Sequence, residues 1–196
     1  MTTSEIQTVT HTQKEQCISL LVLAFSRDPI MRLIYPTPDK YLESFPQFVK
    51  VFGDAAFDAG TAYCMDGFLA TALWFPPGVG VDEEALVAVL ENSISASDRE
   101  MIFDTFETMS AYHPKEPHWY LSILATDPIY QGRGYGSALL RHGLAACDRE
   151  QKLAYLEASS PQNAALYARH GFEAIGSIEF GTAASVTPMV RKPKST

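Results

Sequence analysis

Apolar and polar residues alternate from Ile6 to Val9 and then switch to a helical period from Cys17 to Phe25. This predicts a first strand followed by a helix. Thr12, with Glu15 three residues later, gives a capping-box signature ahead of that apolar stretch. Asp28-Pro29 reads as the end of the helix, and Ile30 to Pro38 as an apolar loop whose Met31, Ile34 and Tyr35 are placed to line a pocket. From Asp39 to Ala59 the apolar positions recur at roughly helical spacing but are interrupted by Pro46 and Gly53, which predicts one kinked helix or two short ones.

Thr61 to Met65 and Phe68 to Phe75, joined at Asp66-Gly67, form the strongest hairpin signal, because Asp-Gly tolerates the positive φ of a tight turn. Two helices follow, Asp82 to about Asn92 and Ala96 to about Tyr112. His118 to Thr126 is then a strand, Gly136 to Glu150 a helix and Leu153 to Ala158 a strand, together a β-α-β unit. A short helix over Pro161 to His170 and strands near Ala174–Phe180 and Ala184–Arg191 complete the chain. The fold class is α/β (α+β): a mixed, mostly antiparallel sheet flanked by helices, with the inserted pair between Asp82 and Tyr112 covering an acceptor cleft. Residues 1–196 are expected to form one domain.

Composition narrows the function. The residues are 46% apolar and 19% charged, a globular balance. A net charge of −8 without a dense basic block argues against nucleic acid as a partner. The acidity suits a cationic substrate and equally serves solubility. Cys17, Cys64 and Cys147 lack CxxC spacing and read as reduced, buried thiols. The polar stretch from Met1 to Lys14 has no signal-peptide order, and no apolar run approaches a membrane span. A cytoplasmic protein is expected, with no membrane partner.

The segment that carries chemistry is Gln131-Gly132-Arg133-Gly134-Tyr135-Gly136, set between the His118–Thr126 strand with its Asp127-Pro128 turn and an apolar helix. Glycines let the backbone turn tightly, and unpaired amides at a helix N-terminus favour phosphate. A dinucleotide fingerprint matches Gly132 and Gly134, with Glu157 near the place of its ribose-binding acid, but the third glycine would fall on Ser137. Too little chain follows Glu157 for the further β-α units of that fold. A P-loop lacks its Gly-Lys-Ser/Thr.

Gln-x-x-Gly-x-Gly after a strand and an Asp-Pro turn resembles the acetyl-CoA signature of GNAT acetyltransferases, and Leu166-Tyr167-Ala168-Arg169-His170-Gly171-Phe172 resembles that family's second landmark. Three further stretches of the C-terminal half resemble puromycin N-acetyltransferase-like members: Pro114 to Leu121, Leu156 to Asn163, and Arg191-Lys192-Pro193.

The resemblance implies an acetyl-CoA-dependent N-acetyltransferase. The backbone of Leu124, Ala125 and Thr126 would bind pantetheine as a neighbouring strand does. The amides of Gln131, Gly132, Arg133, Gly134, Tyr135, Gly136 and Ser137 would hold the pyrophosphate, Arg133 adding charge. Tyr167 matches the general acid that protonates the departing thiolate, either with a phenol pKa lowered by its surroundings or with transfer coupled to bond cleavage. Glu157 matches a position that serves some relatives as a base, and its alternation with Tyr155 leaves its face open. Asn163 resembles the CoA-contacting asparagine, although Ser160 holds the commoner spacing. His113 and His118 are alternative bases or plain core or solvated histidines; no metal is implied.

The expected reaction is direct attack of a small-molecule amine on acetyl-CoA in a ternary complex, with an amide near Leu124 or Ala125 facing the oxyanion. The alternatives are a non-catalytic acyl-CoA-binding module and a protein lysine or N-terminal acetyltransferase. Tyr35, Trp74 and Phe75 are either acceptor-side aromatics or core.

Overall fold

The computed structural model describes residues 5–181 and 184–194; the first four residues of the polar N-terminal stretch lie outside them. Among the described residues the chain forms β1 (Ile6–Thr8), α1 (Lys14–Ala24), α2 (Pro29–Ile34), α3 (Pro38–Asp58), β2 (Ala62–Met65), β3 (Ala70–Phe75), α4 (Glu83–Ser93) and α5 (Arg99–Tyr112). It continues with β4 (His118–Thr126), α6 (Tyr135–Arg149), β5 (Leu153–Ala158), α7 (Pro161–Ala168), β6 (Glu173–Ala174), β7 (Ile178–Phe180) and β8 (Ala184–Arg191). The sheet runs β1-β2-β3-β4-β5-β8-β6, with β7 also on β8. All pairs are antiparallel except β4 with β5. This is the mixed, mostly antiparallel α/β sheet that the sequence predicts.

The sheet separates two apolar cores. On one side α1 and α3 pack with Leu73, Phe75, Tyr120 and Tyr155. On the other α6 packs with Ala70, Ala72, Trp74, Trp119, Leu121 and Leu156. Alternation along β3 explains its division, since successive side chains of a strand leave by opposite faces. On β4 the alternation changes phase: Trp119 and Leu121 face α6, yet Ile123 and Ala125 lie in the other core. The cause is a β-bulge at Ser122, where the register with β3 steps from Trp74↔Leu121 to Leu73↔Ile123. One extra residue inverts every side chain after it. The Ser122 hydroxyl donates to the Leu73 carbonyl at 3.2 Å.

The parallel pair is short. β4 and β5 register only from His118↔Leu153 to Tyr120↔Tyr155, although both strands continue, to Thr126 and Ala158. Beyond Tyr120 the two strands part, and β4 keeps β3 as its partner. The opening exposes main-chain groups on one edge of β4.

Helix α6 is held against the sheet by a close approach. A Cβ placed on Gly143 would lie 2.2 Å from Trp74 Nε1, so only glycine lets the indole seat there. A mid-helix glycine costs about 1 kcal/mol relative to alanine. Here it fixes where the helix N-terminus sits.

Several local expectations are corrected. The capping box lies two residues earlier, between Thr10 and Gln13, ahead of a short 3₁₀ turn. Ile30 to Ile34 is helix, because Asp28 is its N-cap and Pro29 occupies the first turn; the Asp-Pro pair marks a start. Ile34 and Tyr35 are buried in the core, so they line no pocket, while Met31 does. Of the two readings of residues 38–58, one helix or two, the single helix with Pro46 inside is the one formed. The β2–β3 connection is a longer 3₁₀ turn with positive φ at both Gly67 and Phe68, so the two-residue hairpin is not formed. The strand expected over Ala174–Phe180 is broken into β6 and β7. No helix of the described residues is long and apolar enough to cross a membrane.

Candidate active site

A polar groove of about 990 Å³ follows the free edge of β4 and the N-terminus of α6. It is lined by Leu124, Ala125, Thr126, Gln131, Gly132, Gly134, Tyr135, Gly136 and Ser137 from this region, and by Asn163 and Tyr167 from α7. Gly132 (φ 76°) and Gly134 (φ 86°) take left-handed conformations that cost other residues about 1–2 kcal/mol. They turn the chain so that α6 begins at Tyr135 with no side chain capping its first amides and no acidic residue in its first turn. Such an end attracts an anion. Arg133 is the exception among the predicted loop residues: its guanidinium stacks 5.0 Å over the Tyr130 ring and does not line the groove.

An apolar chamber of about 110 Å³ lies beside it on the α3 side of the sheet. Its walls include Phe25, Phe45, Phe48, Phe52, Phe106 and Met109, with Glu157 as a carboxylate among them. Groove and chamber share Phe25, Asp28, Leu124, Ser159, Asn163 and Tyr167. Those six residues form a neck. The two cavities meet there, next to the Tyr167 phenol.

A family model described as an acetyltransferase (GNAT) domain matches residues 83–174. Among solved structures, an acetyltransferase of Corynebacterium glutamicum described as histone acetyltransferase HPA2 and related acetyltransferase shares 26% identity. The match covers 98% of each chain, with a TM-score of 0.70. Residues 83–174 are thus similar to a GNAT acetyltransferase domain, and the fold of the chain agrees with that likeness. The fold is also that of arylalkylamine N-acetyltransferase 2 from Aedes aegypti (12% identity, 98% and 100% covered, TM-score 0.69). A Drosophila melanogaster polyamine N-acetyltransferase that forms N-acetylagmatine shares it too (15%, 96% and 99%, TM-score 0.62). Proteins of the GNAT acetyltransferase family use acetyl-CoA as acetyl donor.

The polar groups of the neck are tied to one another. Asp28 Oδ1 accepts the amides of Ile30 and Met31, each at 3.0 Å, and its Oδ2 accepts the Ser159 hydroxyl at 2.7 Å. Asn163 Nδ2 donates to the same Ser159 oxygen at 3.4 Å. Burial raises the Asp28 carboxyl above its usual range against the opposing effect of these donors. Ser160 caps α7 by accepting the Asn163 amide at 3.2 Å, so the commoner asparagine position is filled here by a helix cap. Asn163, at the shorter spacing, lines both cavities.

Tyr167 is buried at 7% exposure, with Phe172 at its edge. Burial first, and the nearby Asp28 charge second, push its phenol well above the ordinary range. A phenol raised in this way keeps its proton through neutral and mildly alkaline pH, so its surroundings do not lower its pKa. None of the three cysteines lines either cavity. Burial pushes the Cys17 thiol up to about 11 and Cys147 up to about 12, so thiolate is scarce at both.

Glu157 faces the chamber with a side chain only 6% exposed. Its Oε1 is buried without a hydrogen bond, while His113 Nε2 stands 3.3 Å away. Beside it, burial and then the Glu157 charge raise the phenols of Tyr120 and Tyr155. The aromatics Tyr35, Trp74 and Phe75 are all core and line neither cavity. The chamber is instead walled by phenylalanines of α3 and α5; α4 packs on α3 and contributes no wall. Asp28 and Ser159 were not singled out as site residues by sequence reasoning, although an Asp-Pro N-cap was there to be read.

Proposed function

We propose that the chain transfers the acetyl group of acetyl-CoA to the amine of a small acceptor with an apolar portion, by direct attack within a ternary complex. The observation that carries this reading is the neck: an anion-favouring groove and an apolar, carboxylate-bearing chamber share Tyr167 and Asn163 in their walls. The free edge of β4 at Leu124, Ala125 and Thr126 suits an extended pantetheine arm, which would add to it as a strand does. The open N-terminus of α6, with Gln131 to Ser137, suits the pyrophosphate.

In the chamber, Glu157 is the base for the acceptor. A buried carboxylate oxygen with no hydrogen-bond partner is unstable unless a proton or a cation compensates it, and an ammonium group supplies both. The neutral amine then attacks the thioester carbon, the C–S bond breaks, and Tyr167 O–H protonates the departing sulfur. A free thiol leaves near pKa 8.5, below a buried phenol, so the proton moves as the bond breaks. Phe48, Phe52 and Phe106 favour an acceptor with a flat or alkyl body. The structural relatives named for arylalkylamines and for agmatine act on amines of that general kind.

The test follows CoA thiol release with purified protein against arylalkylamines, polyamines, aminonucleosides, amino acids and lysine peptides, with Tyr167→Phe as control. Turnover of an apolar small amine, lost in the variant, is the expected result. Turnover restricted to lysine peptides contradicts the acceptor assignment, and acetyl-CoA binding without turnover of any amine favours a binding module.

A further inference from the structure

Three side chains from different parts of the chain form a line from the chamber to the protein surface. Glu157 Oε1 lies 3.3 Å from His113 Nε2, His113 Nδ1 lies 3.2 Å from His118 Nε2, and His118 Nδ1 lies 2.9 Å from the Glu116 carbonyl oxygen. His113 is held in orientation by the rings of Tyr155 at 4.3 Å and Tyr120 at 4.7 Å. We propose that Glu157, His113 and His118 form a proton path, the carboxylate receiving the proton that the acceptor's ammonium loses and the two imidazoles carrying it outward. The inference rests on the reading of the chain as an amine acetyltransferase.

The hydrogen-bond pattern fixes which nitrogens carry protons. A carbonyl only accepts, so His118 Nδ1 is protonated. Burial holds the His118 imidazole below the usual histidine range, so at neutral pH its Nε2 is a lone pair and His113 Nδ1 donates to it. His113 Nε2 faces Glu157 Oε1 at 3.3 Å, so the two atoms are neighbours along the line. Oε1 has no hydrogen bond among the described residues, which leaves the chamber end of the line open to a proton from the acceptor.

The transfer balances. The ammonium N–H bond breaks and its proton passes to Glu157 and on to His113 Nε2, while the electron pair stays on the amine as its nucleophile. His113 Nδ1 gives its proton to His118 Nε2, and His118 Nδ1 releases one to water beside Glu116. The rings regain their tautomers by exchange with solvent, which reaches His113 through the 30% of its side chain that is exposed. The other titratable groups around this line are Tyr120 on β4, Tyr155 on β5, Tyr112 at the end of α5 and, at the outer end, Glu116, whose charge acts on His118. Burial raises Tyr120 and Tyr155, which therefore keep their protons and do not bypass the imidazoles.

The test compares His113→Gln and His118→Gln with the unaltered chain, following kcat as a function of pH, the KM of acetyl-CoA, and the effect of added imidazole. Glutamine keeps a hydrogen-bonding side chain but cannot relay a proton. We expect kcat to fall about 10-fold or more in each variant, a part of the 10²–10⁴ that general acid–base catalysis supplies. The acid limb of kcat moves to higher pH, the acetyl-CoA KM stays unchanged, and imidazole restores part of the rate. Unchanged kcat and an unmoved acid limb in two folded variants overturn the path. If His113→Gln does not fold by thermal melting, His118→Gln at the outer end carries the same comparison alone. Glu157→Gln and Tyr167→Phe in the same assay separate the two readings: loss there with no change in the histidine variants rejects only the path, whereas no turnover of any amine by the unaltered chain rejects both.

Discussion

The groove and the chamber meet at Tyr167 but are built from different material. The groove is made largely of backbone: the unpaired edge of β4, two left-handed glycines and the open amides of α6. The chamber is made of side chains, phenylalanines from α3 and α5 and Phe25 just past α1, around Glu157. A backbone site needs a few residues at fixed spacing and tolerates most others. A side-chain site is defined by volume and charge assembled from distant segments, and its chemistry changes with single substitutions.

The largest effect should come where the two halves join. Tyr167→Phe is expected to lower kcat about 10³-fold with little change in either KM, measured as thiol release. Because burial raises the Tyr167 phenol, it stays protonated as pH climbs through 8 and 9. A group with a raised pKa loses its proton only above that value, so the unaltered enzyme should show no alkaline fall in kcat before about pH 10. A fall near pH 8 would mean that another group is the acid.

Glu157→Gln should follow, lowering kcat about 10²-fold on the acceptor side while thermal shift by CoA is retained. Gly134→Ala is smaller and confined to the donor side. Its left-handed φ of 86° costs alanine about 1–2 kcal/mol, and a loop that relaxes this strain in the free protein must regain it on binding, raising the acetyl-CoA KM by up to about 5- to 30-fold. Phe106→Ala should raise the KM of an apolar acceptor about 10-fold, the range expected for lost contacts in a hydrophobic pocket.

The same difference explains what could be read from the sequence. The phosphate loop, the β-α-β unit around it and the Tyr167 landmark depend on local spacing, and the elements there lie within a residue or two of expectation. The chamber depends on which residues of α3 and α5 meet on one face of the sheet, and no spacing carries that. Trp74 and Phe75 illustrate this: the sequence leaves them as acceptor-side aromatics or core, and because β3 is central and covered on both faces, both are core. The Ser122 bulge is also invisible in the pattern, yet it decides which face of the sheet Ile123 and Ala125 occupy. Asp28 was legible as a residue and misread as a position, because an Asp-Pro pair can stop one helix and start the next.

The most direct test of the two-chamber account is a crossed measurement of both Michaelis constants in Gly134→Ala and Phe106→Ala. The account predicts that the first raises only the acetyl-CoA KM and the second only the acceptor KM. Both constants moving together in either variant would contradict it, since donor and acceptor would then share one site.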